Sequence, residues 1–370
     1  MQSNTSNAIG IVVIGRNEGE RLRRCLHSVA NQGAPVVYVD SDSTDGSREL
    51  ARQVGATVVE LDHSAPFTAA RARNAGFDAL RKQAPEVELV QFVDGDCELH
   101  PEWLARAART MAQYADLAVV CGRRRERYPY ASVYNQLCDI EWDTPIGPAR
   151  ACGGDALIQA RAFQSVGGFD PAMIAGEEPD LCLRLSRAGY FILRQDSEMT
   201  LHDAAMTRWT QWWQRAVRCG HTSAELLHKY GAASEHRRLH RAISAACWSV
   251  LLPIGSTAFA LSALVDGNLS LFVTIVAVTL FLYGLLLARI ARACRRNGRS
   301  AEDARAYALS CALAKLPETW GMLRFFARRL SGRRAAWIEY KDSPRTISAP
   351  RPGTLAASLA NGKELLGRPS

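Results

Sequence analysis

Two aspartates separated by one glycine, Asp94-Gly95-Asp96, close the apolar run Leu89-Val90-Gln91-Phe92-Val93. The run reads as a buried strand, and open α/β sheets bind ligands outside the carboxyl ends of their strands. Two carboxylates so close repel each other, and a divalent cation whose shell is completed by a ligand's phosphates removes the conflict. Gly95 lets the backbone approach such a ligand. The plain alternative is a solvated turn, since Asp-Gly pairs are common there. A second acidic group, Gly176-Glu177-Glu178-Pro179-Asp180, stands ahead of Leu181, Leu183 and Leu185, an apolar run that predicts a helix packed on the sheet. Pro179 suits the first turn, and the helix dipole there favours an ionised carboxylate with a lowered pKa at Glu178. Glu177 is expected to point elsewhere and to be structural.

The elements that must position these acids alternate. Ile9 to Ile14, Val36 to Val39, Thr57 to Leu61, Leu89 to Val93 and Leu117 to Cys121 read as strands. Helices are predicted over Glu20–Asn31, up to Val54, over Thr68–Lys82 and over Pro101–Tyr114, with short connections. Strand, helix, strand, helix means an α/β fold with a doubly wound, mostly parallel sheet. No Gly-x-Gly-x-x-Gly follows the first strand and no P-loop Gly-Lys-Ser is present, which disfavours dinucleotide and P-loop folds. Acids stand at the strand ends instead, Asp40 after the second and Asp94 and Asp96 after the fourth.

The net charge of +8 is unevenly placed: residues 289–345 carry 14 Lys/Arg against 5 Asp/Glu, more than the whole excess. That charge lies beside two uncharged segments, Ala242–Val265 and Leu269–Ala288, so anionic lipid rather than nucleic acid is the expected partner. Each segment can cross a hydrocarbon core of ~30 Å, which takes about 20 helical residues. Asp266-Gly267-Asn268 turns between them, Pro253 is an expected kink, and arginines flank the hairpin on both sides. The positive-inside rule puts both ends in the cytoplasm. The two spans are therefore expected in the inner or plasma membrane, with the α/β domain and C-terminus cytoplasmic. Ala301–Arg334 reads as an amphipathic helix pair at the membrane surface, with Trp320, Leu323, Phe325 and Phe326 set against arginines. Beyond about Lys341 the composition predicts disorder. The ten cysteines lack any C-x-x-C and read as reduced thiols in a cytosolic setting. The polar start, Met1 to Asn7, lacks the pattern of a signal peptide.

Ile14-Gly15-Arg16-Asn17-Glu18, Asp40-Ser41-Asp42-Ser43-Thr44-Asp45-Gly46-Ser47, Ala72-Arg73-Asn74-Ala75-Gly76 and Asp94-Gly95-Asp96 together resemble the nucleotide-binding half of family 2 glycosyltransferases, which have the GT-A fold. Gly153-Gly154-Asp155, Gly167-Gly168-Phe169-Asp170 and the run from Gly176 to Leu185 are similar to the acceptor half. The resemblance covers about residues 9 to 230. It implies that Asp40 accepts from the base of a uridine-type nucleotide, and that Asn17, Glu18 and Asp42 line the nucleotide loops. Arg71 or Arg73 would lie near that loop, and Asp155 would sit in the donor site. It also implies that Asp94 faces the ribose, that Asp96 ligates Mg²⁺ or Mn²⁺ on the diphosphate, and that Glu178 is the general base, with Glu177 as understudy. His202, in Leu201-His202-Asp203, stands where many relatives place a further metal ligand. Several departures stand out. Ile14 and Gly15 replace the usual proline and threonine, Asp42 replaces a common glycine, and Glu177-Glu178 replaces Glu-Asp. Gln211-Trp212-Trp213-Gln214-Arg215 does not match the Gln-x-x-Arg-Trp of processive synthases.

The expected division is a glycosyltransferase domain over 1–235, a transmembrane hairpin over 236–299, basic interfacial helices over 300–342 and a tail over 343–370. The expected activity is metal-dependent, inverting, non-processive transfer from a nucleotide sugar, UDP-sugar favoured, to a lipid-linked or saccharide acceptor. Two alternatives stay open, a sugar nucleotidyltransferase and a catalytically degenerate sugar-binding scaffold on the membrane. The first needs a basic, glycine-rich first loop, of which Gly15-Arg16-Asn17-Glu18-Gly19 is a poor version.

Overall fold

The computed structural model describes residues 9–232 and 236–332; the expected tail and Met1 to Asn7 lie outside them. The strands are β1 (Ile9–Gly15), β2 (Val36–Asp40), β3 (Thr57–Glu60), β4 (Leu89–Asp94), β5 (Cys97–Leu99), β6 (Leu117–Glu126), β7 (Gly147–Ala149), β8 (Ala156–Gln159) and β9 (Phe191–His202). They form one sheet in the order β3-β2-β1-β4-β8-β6-β9-β5, with β7 paired to β9. The expected parallel pairing holds through β3-β2-β1-β4 and again between β6 and β9. β8 runs antiparallel to both of its neighbours, and the short β5 pairs antiparallel with β9 rather than continuing β4. Val12, Val13, Val90 and Val93 are fully buried, as β-branched residues are when helices cover both faces of a strand.

Register places the chemistry. β1 sets Ile14 beside Asp94 and Gly15 beside Asp40, so the ends of β1, β2 and β4 share one sheet edge. β5 sets Cys97 opposite His202, which carries the end of β9 to the same place as Asp96. Helix Glu177–Arg187 starts from Gly176, whose left-handed backbone (φ 82°) suits glycine, and Pro179 falls in its first turn as expected.

Among the described residues, two helices are long and apolar enough to cross a membrane, Arg237–Val265 and Leu269–Arg296. The first holds a π-helical turn, Cys247–Leu251, just ahead of Pro253. Pro253 has no N–H for a carbonyl five residues back, and the Trp248 carbonyl instead accepts from Tyr283 Oη across the hairpin at 2.6 Å. Asn268 caps the second helix through Leu271 N (3.0 Å).

The amphipathic helix pair does not form. Ala301–Leu330 is one helix with Pro317 inside it, packed along helix Trp209–Tyr230. Glycines let the two axes meet: a Cβ on Gly220 would lie 1.9 Å from Glu318 O, and one on Gly321 would lie 2.0 Å from Val217 O. Phe325 consequently turns inward, toward Ala224, Ala245 and Met322. Leu309, Leu313, Leu316, Trp320 and Leu323 form an exposed stripe on another face. Of the three tryptophans at helical spacing, Trp212 is buried and donates to Ser310 Oγ (3.1 Å), while Trp209 stays half exposed.

Candidate active site

A pocket of about 620 Å³ opens at the shared strand edge, and its wall includes Asn17, Glu18, Asp94, Asp96, Glu177 and Glu178. The two acidic motifs, far apart in sequence, therefore face one cavity. Its floor is made close by glycine: a Cβ on Gly154 would fall 2.3 Å from Asp94 Oδ2 and 2.9 Å from Arg73 Nη2, and one on Gly95 would press on Ile14 O at 3.0 Å.

Arg73 joins the motifs. Its Nη2 donates to Asp94 Oδ1 and its Nη1 to Glu177 Oε1, each at 2.7 Å, with the guanidinium buried. Burial opposes that charge, but Asp94 and Glu177 outweigh it and raise the guanidinium pKa. Asp155 is wholly buried behind Asp94 rather than on the pocket wall. Its Oδ1 accepts from Asp94 N (2.9 Å), and its Oδ2 accepts from Arg124 Nη2 (2.7 Å) and Thr200 Oγ1 (2.9 Å).

Glu178 reaches the pocket from the first turn of its helix. Its Oε1 accepts from Gly153 N (2.7 Å) and from Cys152 N. The lowered pKa expected from the helix dipole is not what the surroundings produce. Desolvation by burial raises the carboxyl above its ordinary value, assisted by Glu177, and outweighs the two backbone N–H groups that favour the anion. Glu177, expected to point elsewhere, borders the same pocket, where Arg73 holds its carboxylate.

Asp96 is buried, and its Oδ2 lies 3.4 Å from His202 Nε2. Asp96, Cys97 and His202 offer ligand atoms within 4.8 Å of one another. The His202 ring stands edge-on to Trp142 at 4.5 Å between centroids. Its Nδ1 is buried without a hydrogen-bond partner, 3.8 Å from Glu126 Oε2. A carboxylate behind an imidazole whose other nitrogen meets an acid is the arrangement that orients a metal-ligating histidine. The donor set fits a divalent cation, and carboxylate with imidazole suits Mn²⁺ better than Mg²⁺.

The loops that follow β1 and β2 are stitched together. Asn17 N donates to Ser43 Oγ (2.9 Å), Asn17 Oδ1 accepts from Thr44 N (2.8 Å), and Gly19 N donates to Asp45 Oδ2 (2.8 Å). Asn17 and Asp42 both hold positive φ, at 52° and 71°, which these short polar residues tolerate. Glu18 lines the pocket and pairs with Arg21 at 2.8 Å. The structure places Asp40 behind Ser41, with 1% exposure. Both of its oxygens are engaged, by Ser43 N (2.8 Å) and Tyr38 Oη (2.9 Å). Arg71 turns away from the pocket and ties the 62–66 loop through Ala65 O, Pro66 O and Asp62. Asp42 is exposed and borders no part of the cavity.

Wall residues given no role in the sequence reading include Arg218, Phe67 and Arg16, the last with its guanidinium 5.6 Å from the Phe67 ring centre. Arg218 sits on helix Trp209–Tyr230 next to buried Val217. The only signal for it in the sequence is a cation at the margin of that helix's apolar face.

A family model described as Glycosyl transferase family 2 matches residues 10–147. The chain is 24% identical over 212 residues to Glycosyltransferase AglE of Haloferax volcanii, covering 53% of this chain and 67% of that one. It is 27% identical over 236 residues to the pre-mycofactocin glycosyltransferase of Mycobacterium tuberculosis, covering 59% of this chain but only 47% of that relative. Among solved structures, a mannosyltransferase from Pyrobaculum calidifontis in complex with GDP-Man and Mn²⁺ superposes with a TM-score of 0.53 at 18% identity, over 84% of this chain and 87% of that one. That likeness concerns the fold, which is of the GT-A type. With the acids of the resemblance gathered on one pocket of that fold, the chain carries a glycosyl transferase family 2 domain over residues 10–147.

Proposed function

We propose that the protein transfers a sugar from a nucleoside-diphosphate sugar, UDP-sugar favoured, to an acceptor held at a membrane, with inversion and one sugar at a time. The observation that carries this reading is the meeting of Asp94-Gly95-Asp96 and Glu178 across one cavity. Asp96 and His202 would hold Mn²⁺ or Mg²⁺, whose charge offsets that of the leaving diphosphate. Asn17 and Glu18 line the nucleotide end, and Asp40 braces the loop that carries Ser41 there. Arg73 fixes Asp94 toward the ribose, and Asp155 fixes the Asp94 backbone from behind. Glu178, with Oε1 pinned by two backbone N–H groups, takes the proton of the acceptor hydroxyl as that oxygen attacks the sugar. No covalent sugar–enzyme bond is needed, so the sugar inverts.

The hydrophobic hairpin supports membrane anchoring, and its outward residues include Phe259, Leu280 and Phe281. The arginines at both flanks support a cytoplasmic side for the pocket, and the exposed stripe Leu309–Leu323 supports contact with the lipid interface. The test uses the full chain in native membranes with labelled UDP- and GDP-sugars and Mn²⁺. Label is expected in the organic-extractable lipid fraction, and the naturally exposed Cys219 is expected to react only with reagents that cross the membrane. Labelling of Cys219 by an impermeant reagent from outside would overturn the topology, and nucleotide turnover with no glycosylated product would overturn the transfer.

A further inference from the structure

Beside the base lies a group that sugar transfer does not use. Cys152 Sγ and Cys182 Sγ, both buried, are 3.6 Å apart, and Cys182 Sγ is 3.9 Å from Glu178 Oε1. One ligand atom from each of the three residues lies within 4.8 Å of the other two. Zinc–thiolate bonds of about 2.3 Å at a tetrahedral angle hold two sulfurs roughly 3.8 Å apart, and a sulfur and a carboxylate oxygen roughly 3.6 Å apart. The thiols already stand at that spacing, and Glu178 borders the pocket by which an ion would enter.

We propose that Cys152, Cys182 and Glu178 form a second metal site, for a thiophilic divalent cation such as Zn²⁺, and that filling it removes the catalytic base. Three protein ligands leave the fourth tetrahedral position to water. On binding, the two S–H bonds break, two S–Zn bonds form, and two protons leave to solvent with no change of oxidation state. The site differs in kind from Asp96 and His202. Two thiolates with one carboxylate select Zn²⁺ over Mg²⁺ or Mn²⁺, which prefer oxygen. A cell's Mg²⁺ therefore leaves Glu178 free, and a rise in zinc takes it. The metal-binding half stands on geometry alone; the inhibitory half rests on the assignment of Glu178 as base.

The experiment titrates the reduced full-length protein in detergent with Co²⁺ and then Zn²⁺. Co²⁺ is expected to give one equivalent of thiolate-to-metal absorption in the near ultraviolet, which Zn²⁺ displaces. The band should vanish in Cys152→Ser and in Cys182→Ser and survive in Asp96→Asn and Cys219→Ser. Glu178→Gln should weaken Zn²⁺ by about tenfold or more. Zn²⁺ should also shield Cys152 and Cys182 of the unaltered protein from alkylation, a readout that needs no variant. With Mn²⁺ in excess, low Zn²⁺ should stop sugar transfer in the unaltered protein and not in Cys182→Ser. Absence of the band, its survival in both serine variants, or a Cys152–Cys182 disulfide that persists under reductant would overturn the site. A full band with undiminished transfer would overturn the switch, whereas normal turnover in Glu178→Gln would instead refute the base.

Discussion

At Glu177 the carboxylate is held by Arg73 at 2.7 Å, while at Glu178 one oxygen rests on the N–H groups of Cys152 and Gly153, and both residues border the pocket. The two should therefore fail differently when made neutral. Glu178→Gln is expected to lower kcat by about 10²–10⁴ and leave donor affinity intact, the usual cost of losing a general base. Glu177→Gln leaves Arg73 paired with Asp94 alone, so it should raise the donor KM several-fold with a small change in kcat. Steady-state kinetics on both variants checks this, and a kcat loss confined to Glu177→Gln would exchange the roles. These acids were legible in the sequence because their motifs are local. Arg73 was legible as a cation of the site but not as the bridge, since Asp94 and Glu177 come from different elements. Asp40 and Asp155 were read as donor contacts, yet a strand-end acid can as well be a buried brace, and sequence does not tell the two apart.

Among the elements, β1 to β4 followed from continuous apolar runs, whereas β5, β7 and β8 are only three or four residues long and carry no period to read. The antiparallel β8 is set by its pairing with β4 and β6, which is tertiary information. The closing helix shows the same limit, because its inner face is defined by glycines that look unremarkable in sequence. Gly321→Ala would drive a methyl to 2.0 Å from Val217 O and must part the two helices. It should cost about 1–3 kcal/mol, the range for overpacking, seen as a lower Tm with the isolated sheet domain's signature unchanged. Within the same packing, burial first, then Asp170, Asp180 and Glu177, push Glu225 up to about 7 against Lys229. Neighbouring His221 is pushed down to about 4 by burial and by Arg328, Arg324 and Arg218, so it stays neutral through the same window. A carboxyl raised in the folded state adds stability in full below its unfolded value of about 4.3 and loses it as pH rises through the folded value. Stability should thus fall between roughly pH 4.5 and 7, by at most about 1.4 kcal/mol per unit from this group. Glu225→Gln should flatten that slope and raise Tm at pH 8 but not at pH 5. An unchanged pH profile of Tm in the variant would contradict the assignment.

For the whole molecule, the hairpin and the catalytic sheet were both plain in sequence, because one is a matter of length without charge and the other of alternating elements. Their relation was not. The helix that carries Arg218 to the pocket is the one against which Ala301–Leu330 packs, so the C-terminal helices buttress the wall of the site. All of this serves one claim, that the pocket binds a nucleoside diphosphate through a cation held at Asp96 and His202 and spends Glu178 on the chemistry. Calorimetric titration of UDP and GDP into the full-length protein, with Mn²⁺ or with a chelator, tests it most directly. Binding is expected with Mn²⁺, should disappear with the chelator and in Asp96→Asn, and should persist in Glu178→Gln. Equal binding without metal, or in Asp96→Asn, would contradict it.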